Sequence, residues 1–138
     1  MPYFVVHEHH ARNLHFDLRL EKDGVLKSWA LPKGPSMNPA DKRLAIMVED
    51  HPLDYGDFEG VIPEGHYGAG KVYIWDKGEY NTVKGSIGEG HWEINMEGNI
   101  LKGNFVLLKL KGRADQWLFI KKKDKFADYN FKLFYRKS

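Results

Sequence analysis

Cysteine is absent from this 138-residue chain. That excludes disulfides, thiolate metal sites and thiol nucleophiles, and it agrees with a reducing compartment. Long apolar runs are absent too: no window approaches the roughly 20 residues that a membrane-crossing helix needs. Residues 1–6 show no basic region leading into an apolar stretch. The expectation is a cytoplasmic protein with no membrane association. No low-complexity linker or internal repeat interrupts the chain, so residues 1–138 are read as one domain, and a monomer is the default. An excess of one charge is also missing. With 21 Lys and Arg against 19 Asp and Glu, the net charge is +2, too mild to announce a nucleic-acid surface by itself.

Helical periodicity is scarce as well, and alternation with period two takes its place. Strands are expected at residues 3–8, 13–21, 25–31, 43–49, 71–75, 92–96, 103–110 and 117–122. Lys22-Asp23-Gly24 carries the Asp-Gly signal of a tight turn between strands. Gly78, Gly85, Gly88, Gly90, Gly98 and Gly103 read as punctuation of the second half. Short helices are expected only at residues 39–42 and near 125–129. Many short strands with glycine turns favour a mainly β fold, a single small barrel with short flanking helices. The polar C-terminal stretch, with Lys121, Lys122 and Lys123, reads as a solvated strand end or tail.

The stretch Leu14-His15-Phe16-Asp17-Leu18-Arg19-Leu20-Glu21 alternates without a fault. Leucines and Phe16 point one way, while His15, Asp17, Arg19 and Glu21 point the other. Residues two apart on one strand face lie roughly 6.6 Å apart at Cα, within span of one shared ion. A solvated face more often uses Lys, Glu and Thr than His, Asp and Arg. His7 and His9 share a face of the preceding strand. If the chain reverses through Ala11-Arg12-Asn13, His9 meets His15 and Asp17. Two imidazoles and a carboxylate suit a divalent ion such as manganese or zinc. In the strand from residue 43, odd positions place Arg43, Glu49 and His51 on one side with Ala45 and Met47. Arg19 and Arg43 offer forked donors that match phosphate oxygens, and His51 suits proton transfer near neutral pH. Taken singly, Arg43 reads as a strand-end charge and His51 as a loop histidine. The glycine-rich run from Glu59 to Lys71 is not a phosphate loop, because Val72 follows Lys71 and a strand comes next. His66 within it reads as structural. Of the aromatics, Tyr55 is the one expected near the site.

Several motifs in one order carry a likeness. They are His9 with His15-Phe16-Asp17-Leu18-Arg19-Leu20-Glu21, then Ser28-Trp29-Ala30-Leu31-Pro32-Lys33-Gly34-Pro35. Glu49-Asp50-His51-Pro52-Leu53-Asp54-Tyr55 and Gly60-Val61-Ile62-Pro63-Glu64-Gly65-His66-Tyr67-Gly68-Ala69-Gly70 follow. Together they resemble the 3′-phosphoesterase domain of the DNA ligase D family, in a stand-alone form. The resemblance implies a compact β-barrel with a crescent-shaped cavity and a manganese-dependent site, zinc or cobalt being alternative ions. It implies action on DNA or RNA/DNA primer-template 3′ ends in end joining. There such domains remove a terminal ribonucleoside and hydrolyse the 3′-phosphate to a 3′-hydroxyl. Separate ligase and polymerase proteins would be the partners. By position, His9, His15 and Asp17 resemble the metal ligands. Arg19 and His51 resemble the phosphate-holding residues, with Arg43 and Lys33 supporting, and Glu49 and Tyr55 match further site positions. His7 stands where relatives carry glutamine and is an additional candidate. Two other readings stay open: a nucleic-acid-binding barrel without catalysis, and a small-molecule metalloenzyme.

Overall fold

Alternating side chains make the strands, and turns with positive φ reverse them. In the computed structural model, which describes residues 1–137, β1 (Tyr3–His10), β2 (Leu14–Lys22), β3 (Val25–Leu31) and β4 (Arg43–His51) form an antiparallel meander. Asp23 and Gly24 take φ of 53° and 80°, the geometry an Asp-Gly hairpin turn requires. A 3-10 helix (Leu53–Asp57) and β5 (Gly60–Ile62) follow, then β6 (Gly70–Ser86), β7 (His91–Gly98), β8 (Lys102–Lys109) and β9 (Gln116–Lys121). β4 pairs with β9 and β1 pairs with β6, so eight strands close in the order β1-β2-β3-β4-β9-β8-β7-β6. β5 pairs with the start of β6 outside this ring. The expected barrel is therefore observed, and closure removes the free strand edges that an open sheet would present.

Three local expectations are corrected. Residues 39–42 and 125–129 contain turns, and among the described residues there is no α-helix. At both places only one turn closes, the Asp41 N–H onto the Asn38 carbonyl and the Ala127 N–H onto the Asp124 carbonyl, and a side chain caps it. Asn38 Oδ1 accepts from the Ala40 N–H, and Asp124 Oδ1 accepts from the Phe126 N–H. The strand expected at 71–75 runs on to Ser86, because β6 pairs first with β1 and then with β7. Gly78 lies inside it, opposite Gly98, where an added Cβ would collide with the Glu97 carbonyl. Its glycine serves close strand approach rather than a turn.

The core fills the barrel interior. Phe16, Leu18 and Leu20 enter from β2 and meet Trp29, Trp92, Trp117, Phe105 and Phe119. The Trp29 ring lies 5.8 Å from Trp117, and Phe105 stacks on Phe119 at 4.9 Å. The C-terminal stretch is not a solvated tail. Phe131 and Leu133 pack against the core. Trp75 Nε1 donates to the Phe134 carbonyl, and the Arg136 N–H donates to Glu8, each at 2.8 Å. Lys121, expected in a solvated run, is buried. Its ammonium donates to Asp124 and to the carbonyls of Asn104 and Lys122, over the Phe105 ring, so the charge is paired where it is desolvated. Among the described residues, no helix is long and apolar enough to cross a membrane.

Candidate metal and phosphate site

The polar face of β2 lies on the outside of the barrel, yet it is buried. Asp17 and Arg19 are 5% and 3% exposed, and His7 beside them is 0% exposed. Register brings the histidines together: His9 faces His15, and His7 faces Asp17. The connection from β4 to β6 covers them. His7 Nε2 donates to the Phe58 carbonyl at 3.1 Å, and His9 Nε2 donates to the Gly68 carbonyl at 2.7 Å. His51 arrives through a β-bulge. Leu26 faces His51 while Ser28 faces Val48, so β4 carries one extra residue there. The extra residue reverses the alternation. Ahead of it, Ala45 pairs with Trp117 on the interior side; beyond it, His51 turns to the outer face beside Arg19.

His9, His15 and Asp17 each offer one ligand atom, all within 4.8 Å of one another. His9 Nδ1 and His15 Nε2 lie 3.5 and 3.3 Å from the same oxygen, Asp17 Oδ2. The far nitrogen of each ring is committed to a backbone carbonyl: His9 Nε2 to Gly68 and His15 Nδ1, at 3.1 Å, to Asn13. Those bonds place one proton outward on each ring and turn each inner nitrogen toward the carboxylate, where it holds either a proton shared with Asp17 or a lone pair for a metal ion. Nitrogens converging on an anion call for positive charge between them, and outward carbonyl partners of this kind are usual for metal-ligating histidines. The donor set therefore fits a divalent ion.

Arg19 organises the other half. Its Nε donates to His7 Nδ1 at 3.0 Å, and Nη1 donates to Ser28 Oγ at 2.9 Å. Nη1 also lies 3.1 Å from His51 Nδ1, and Nη2 lies 3.4 Å from Asp17 Oδ2. Of the five guanidinium N–H groups, the one not directed at these partners is on Nη2, beside the ligand cluster. The Tyr55 ring packs under the guanidinium, with Cζ 5.0 Å from its centroid, and against the rings of His7 and His51. The 650 Å³ cavity over this arrangement includes His9, His15, Asp17, Arg19, His51 and Tyr55 in its lining, and Glu49 at its edge.

The remaining candidates sit differently. His7 is a brace beneath Arg19 rather than part of the lining. Lys33 is exposed in the turn after β3, beside the lining residue Pro32. Arg43 is not brought to the cavity. It stands ahead of the bulge, opposite Phe119, and pairs with Asp41 at 3.5 Å. Simple alternation grouped it with Glu49 and His51, and the bulge separates them. His66 is exposed on the loop before Gly70. Two residues that sequence reasoning passed over are Ser28, which holds Arg19, and Tyr67, which lines the cavity. Ser28 was legible as a small polar residue at a core-strand position; Tyr67 gave no periodic signal.

Comparison with known proteins settles the lineage: the DNA Ligase D 3′-phosphoesterase domain matches residues 7–109. The chain belongs to that family. It is 50% identical over 126 residues to the multifunctional non-homologous end joining protein LigD of Pseudomonas aeruginosa, covering 88% of this chain and 15% of that protein. It is 50% identical over 117 residues to the multifunctional non-homologous end joining DNA repair protein LigD of Mycobacterium tuberculosis (83% and 15%). With the LigD of Mycolicibacterium smegmatis it shares 46% over 130 residues (88% and 17%). The chain thus spans about a sixth of these relatives' length. Every cavity residue named above falls within the matched segment.

Burial and charge tune the titrating groups. Burial opposes the charge of Asp17, but hydrogen bonds with His15 and His9 and the nearby Arg19 charge outweigh it, holding the carboxyl well below the usual range. His7 is lowered to about 4 by burial and by Arg19, so it is neutral and its Nδ1 accepts from Arg19 Nε. His51 is lowered by the same two causes. Burial would lower His15 as well, yet its hydrogen bond to Asp17 and the Asp17 charge raise it above 6.5. A metal must displace that proton. Ion affinity is therefore expected to weaken as pH falls through this raised value, by about tenfold per pH unit for each proton displaced. Calorimetric titration with manganese between pH 5.5 and 8.5 checks this; a flat profile would remove His15 from the ligand set.

Gly56, in the 3-10 helix next to Tyr55, is buried against the Tyr3 ring, and an added Cβ would collide with the phenol. Gly56→Ala should shift the helix and with it Tyr55. The expected result is a stability loss of about 1–3 kcal/mol and a loss of site function approaching 100-fold, read by thermal melting and by turnover. Wild-type turnover in a destabilised variant would show that Tyr55's position does not matter.

Proposed function

We propose that this site is a metal-dependent phosphoesterase acting on nucleic-acid 3′ ends, removing a 3′-terminal ribonucleoside and hydrolysing a 3′-phosphate to a 3′-hydroxyl. The observation that carries the reading is the shared cavity: a buried guanidinium with one undirected N–H adjoins a His-His-Asp cluster whose ligand atoms converge. A divalent ion, manganese as the first choice and zinc or cobalt as alternatives, would be held by His9, His15 and Asp17 and would supply positive charge that polarises a phosphoryl group. The Arg19 Nη2 donates to a phosphoryl oxygen and offsets the charge that grows there in the transition state. His7, Ser28 and Asp17 hold that guanidinium in place before substrate arrives. His51 Nδ1 lies between Arg19 Nη1 at 3.1 Å and the Glu49 carbonyl at 3.2 Å; in the tautomer that accepts from Arg19, the His51 proton sits on Nε2 and can pass to the phosphate or to its leaving oxygen. Tyr55 sets the position of both groups, and Glu49 stands at the edge. Lys33, on the rim, adds attraction for the approaching strand.

Residues 1–138 act as one domain and as a monomer in this reading, in the bacterial cytoplasm, on primer-template ends. The relatives are named for non-homologous end joining, which supports DNA ends in that process as the substrate, with ligase and polymerase activities acting on the same ends. The test is hydrolysis of a 3′-phosphate-terminated primer on a template by metal-stripped protein, with and without manganese. Manganese-dependent appearance of the 3′-hydroxyl is expected. Binding without conversion would make the barrel a non-catalytic nucleic-acid module.

A further inference from the structure

The cavity is larger than its polar floor requires. Its 650 Å³ lies within the roughly 300–1,000 Å³ of pockets that take whole small molecules, and a single phosphoryl group fills a small part of that. Arg19, His51 and the ligand cluster form the polar part. Much of the remaining wall is apolar: Ala11, Leu14, Pro32, Val48, Ile62 and Tyr67.

Tyr67 differs from the other tyrosine of the cavity. Tyr55 is packed among His7, His51, Phe58 and Arg19, whereas Tyr67 lines the cavity and is 88% exposed. Its backbone is nonetheless tied to the polar floor. The next residue, Gly68, has φ of 76°, a conformation that suits glycine, and its carbonyl accepts the 2.7 Å hydrogen bond from His9. One loop thus orients a cluster histidine and presents an uncovered aromatic ring at the cavity beside it.

We propose that Tyr67 is a stacking platform for the nucleobase of the 3′-terminal nucleotide, and that the apolar part of the cavity is a nucleoside subsite. This rests on the phosphoesterase reading and adds the recognition of a base to it. Stacking uses the π-face that every base has, so the subsite tolerates all four bases while rewarding the presence of one.

The experiment compares two 3′-phosphate primers with the manganese-loaded protein, one with its terminal base and one whose terminal sugar is abasic. Wild type should show a KM lower for the base-bearing primer by roughly 5- to 150-fold, the range of stacking one base. Tyr67→Phe should keep that ratio, and Tyr67→Ala should bring it close to one while manganese affinity stays as in wild type. A ratio retained in Tyr67→Ala would overturn the proposal. So would equal losses on both primers, which would mark Tyr67 as a prop for the loop. If wild type converts neither primer, the phosphoesterase reading fails separately. Equilibrium binding of the same two primers then decides the Tyr67 proposal by the same ratio.

Discussion

Asp17→Asn is expected to abolish metal binding and metal-stimulated hydrolysis together while leaving the barrel folded. Asp17 Oδ2 is the point on which the site converges: His9 Nδ1, His15 Nε2 and Arg19 Nη2 all lie 3.3–3.5 Å from it. Asparagine keeps the shape and an acceptor but loses the charge. Changing the outer partners of metal ligands already costs roughly 10–100-fold, so losing the one anionic ligand should cost at least 100-fold in manganese affinity. The stability cost is expected to stay below the 3–5 kcal/mol typical of breaking a buried ion pair outright, because the amide still accepts from Arg19. Its sign with pH follows from the depressed carboxyl. Asp17 contributes stability above the unfolded carboxyl value of about 3.9 and loses it as pH falls below that. The difference in melting temperature between wild type and variant should therefore be largest near neutrality and narrow in acid. Titration of metal-stripped protein with manganese, followed by turnover of the 3′-phosphate primer, measures the effect. Wild-type affinity in Asp17→Asn would exclude the carboxylate from the site.

Much of this site was legible in eight residues. The faultless alternation from Leu14 to Glu21 separated a core face from a face of His15, Asp17 and Arg19, and the structure places them so. Period two gives the two faces of a strand but not what covers each of them. The polar face is buried by the connection between β4 and β6, which has few periodic features and is positioned through the carbonyls of Phe58 and Gly68. Arg43 and His51 share parity in sequence, but one bulge residue divides them in space. A bulge depends on the register with a neighbouring strand, which no single segment carries. The second half of β6 was hidden for a related reason: its glycines serve close approach to β7, and the same residue type marks turns elsewhere. Lys121 read as solvated because its partner, Asp124, sits in the turn that folds back over it.

The other large effect is expected from Arg19→Lys, a change that conserves charge and removes geometry. The guanidinium spreads its donors over His7, Ser28, His51 and Asp17 and still keeps an N–H for the cavity. An ammonium has three donors on one atom and cannot span that set. Placed toward Asp17, it leaves His7 Nδ1 and Ser28 Oγ without their donor; placed toward them, it leaves the phosphate seat. Either way the pre-set donor for the transition-state oxygen is lost, a change worth roughly 100- to 1,000-fold in kcat. Both proposed activities should fall, since both pass a phosphoryl group through the same seat. Manganese affinity should change only a few-fold, because His9, His15 and Asp17 keep their positions. That contrast distinguishes the two halves of the site: Asp17→Asn removes the ion and the rate together, whereas Arg19→Lys removes the rate and retains the ion. If Arg19→Lys turned over the 3′-phosphate primer within a few-fold of wild type, positive charge alone would suffice. The bracing by His7 and Ser28 would then serve the fold and not the reaction.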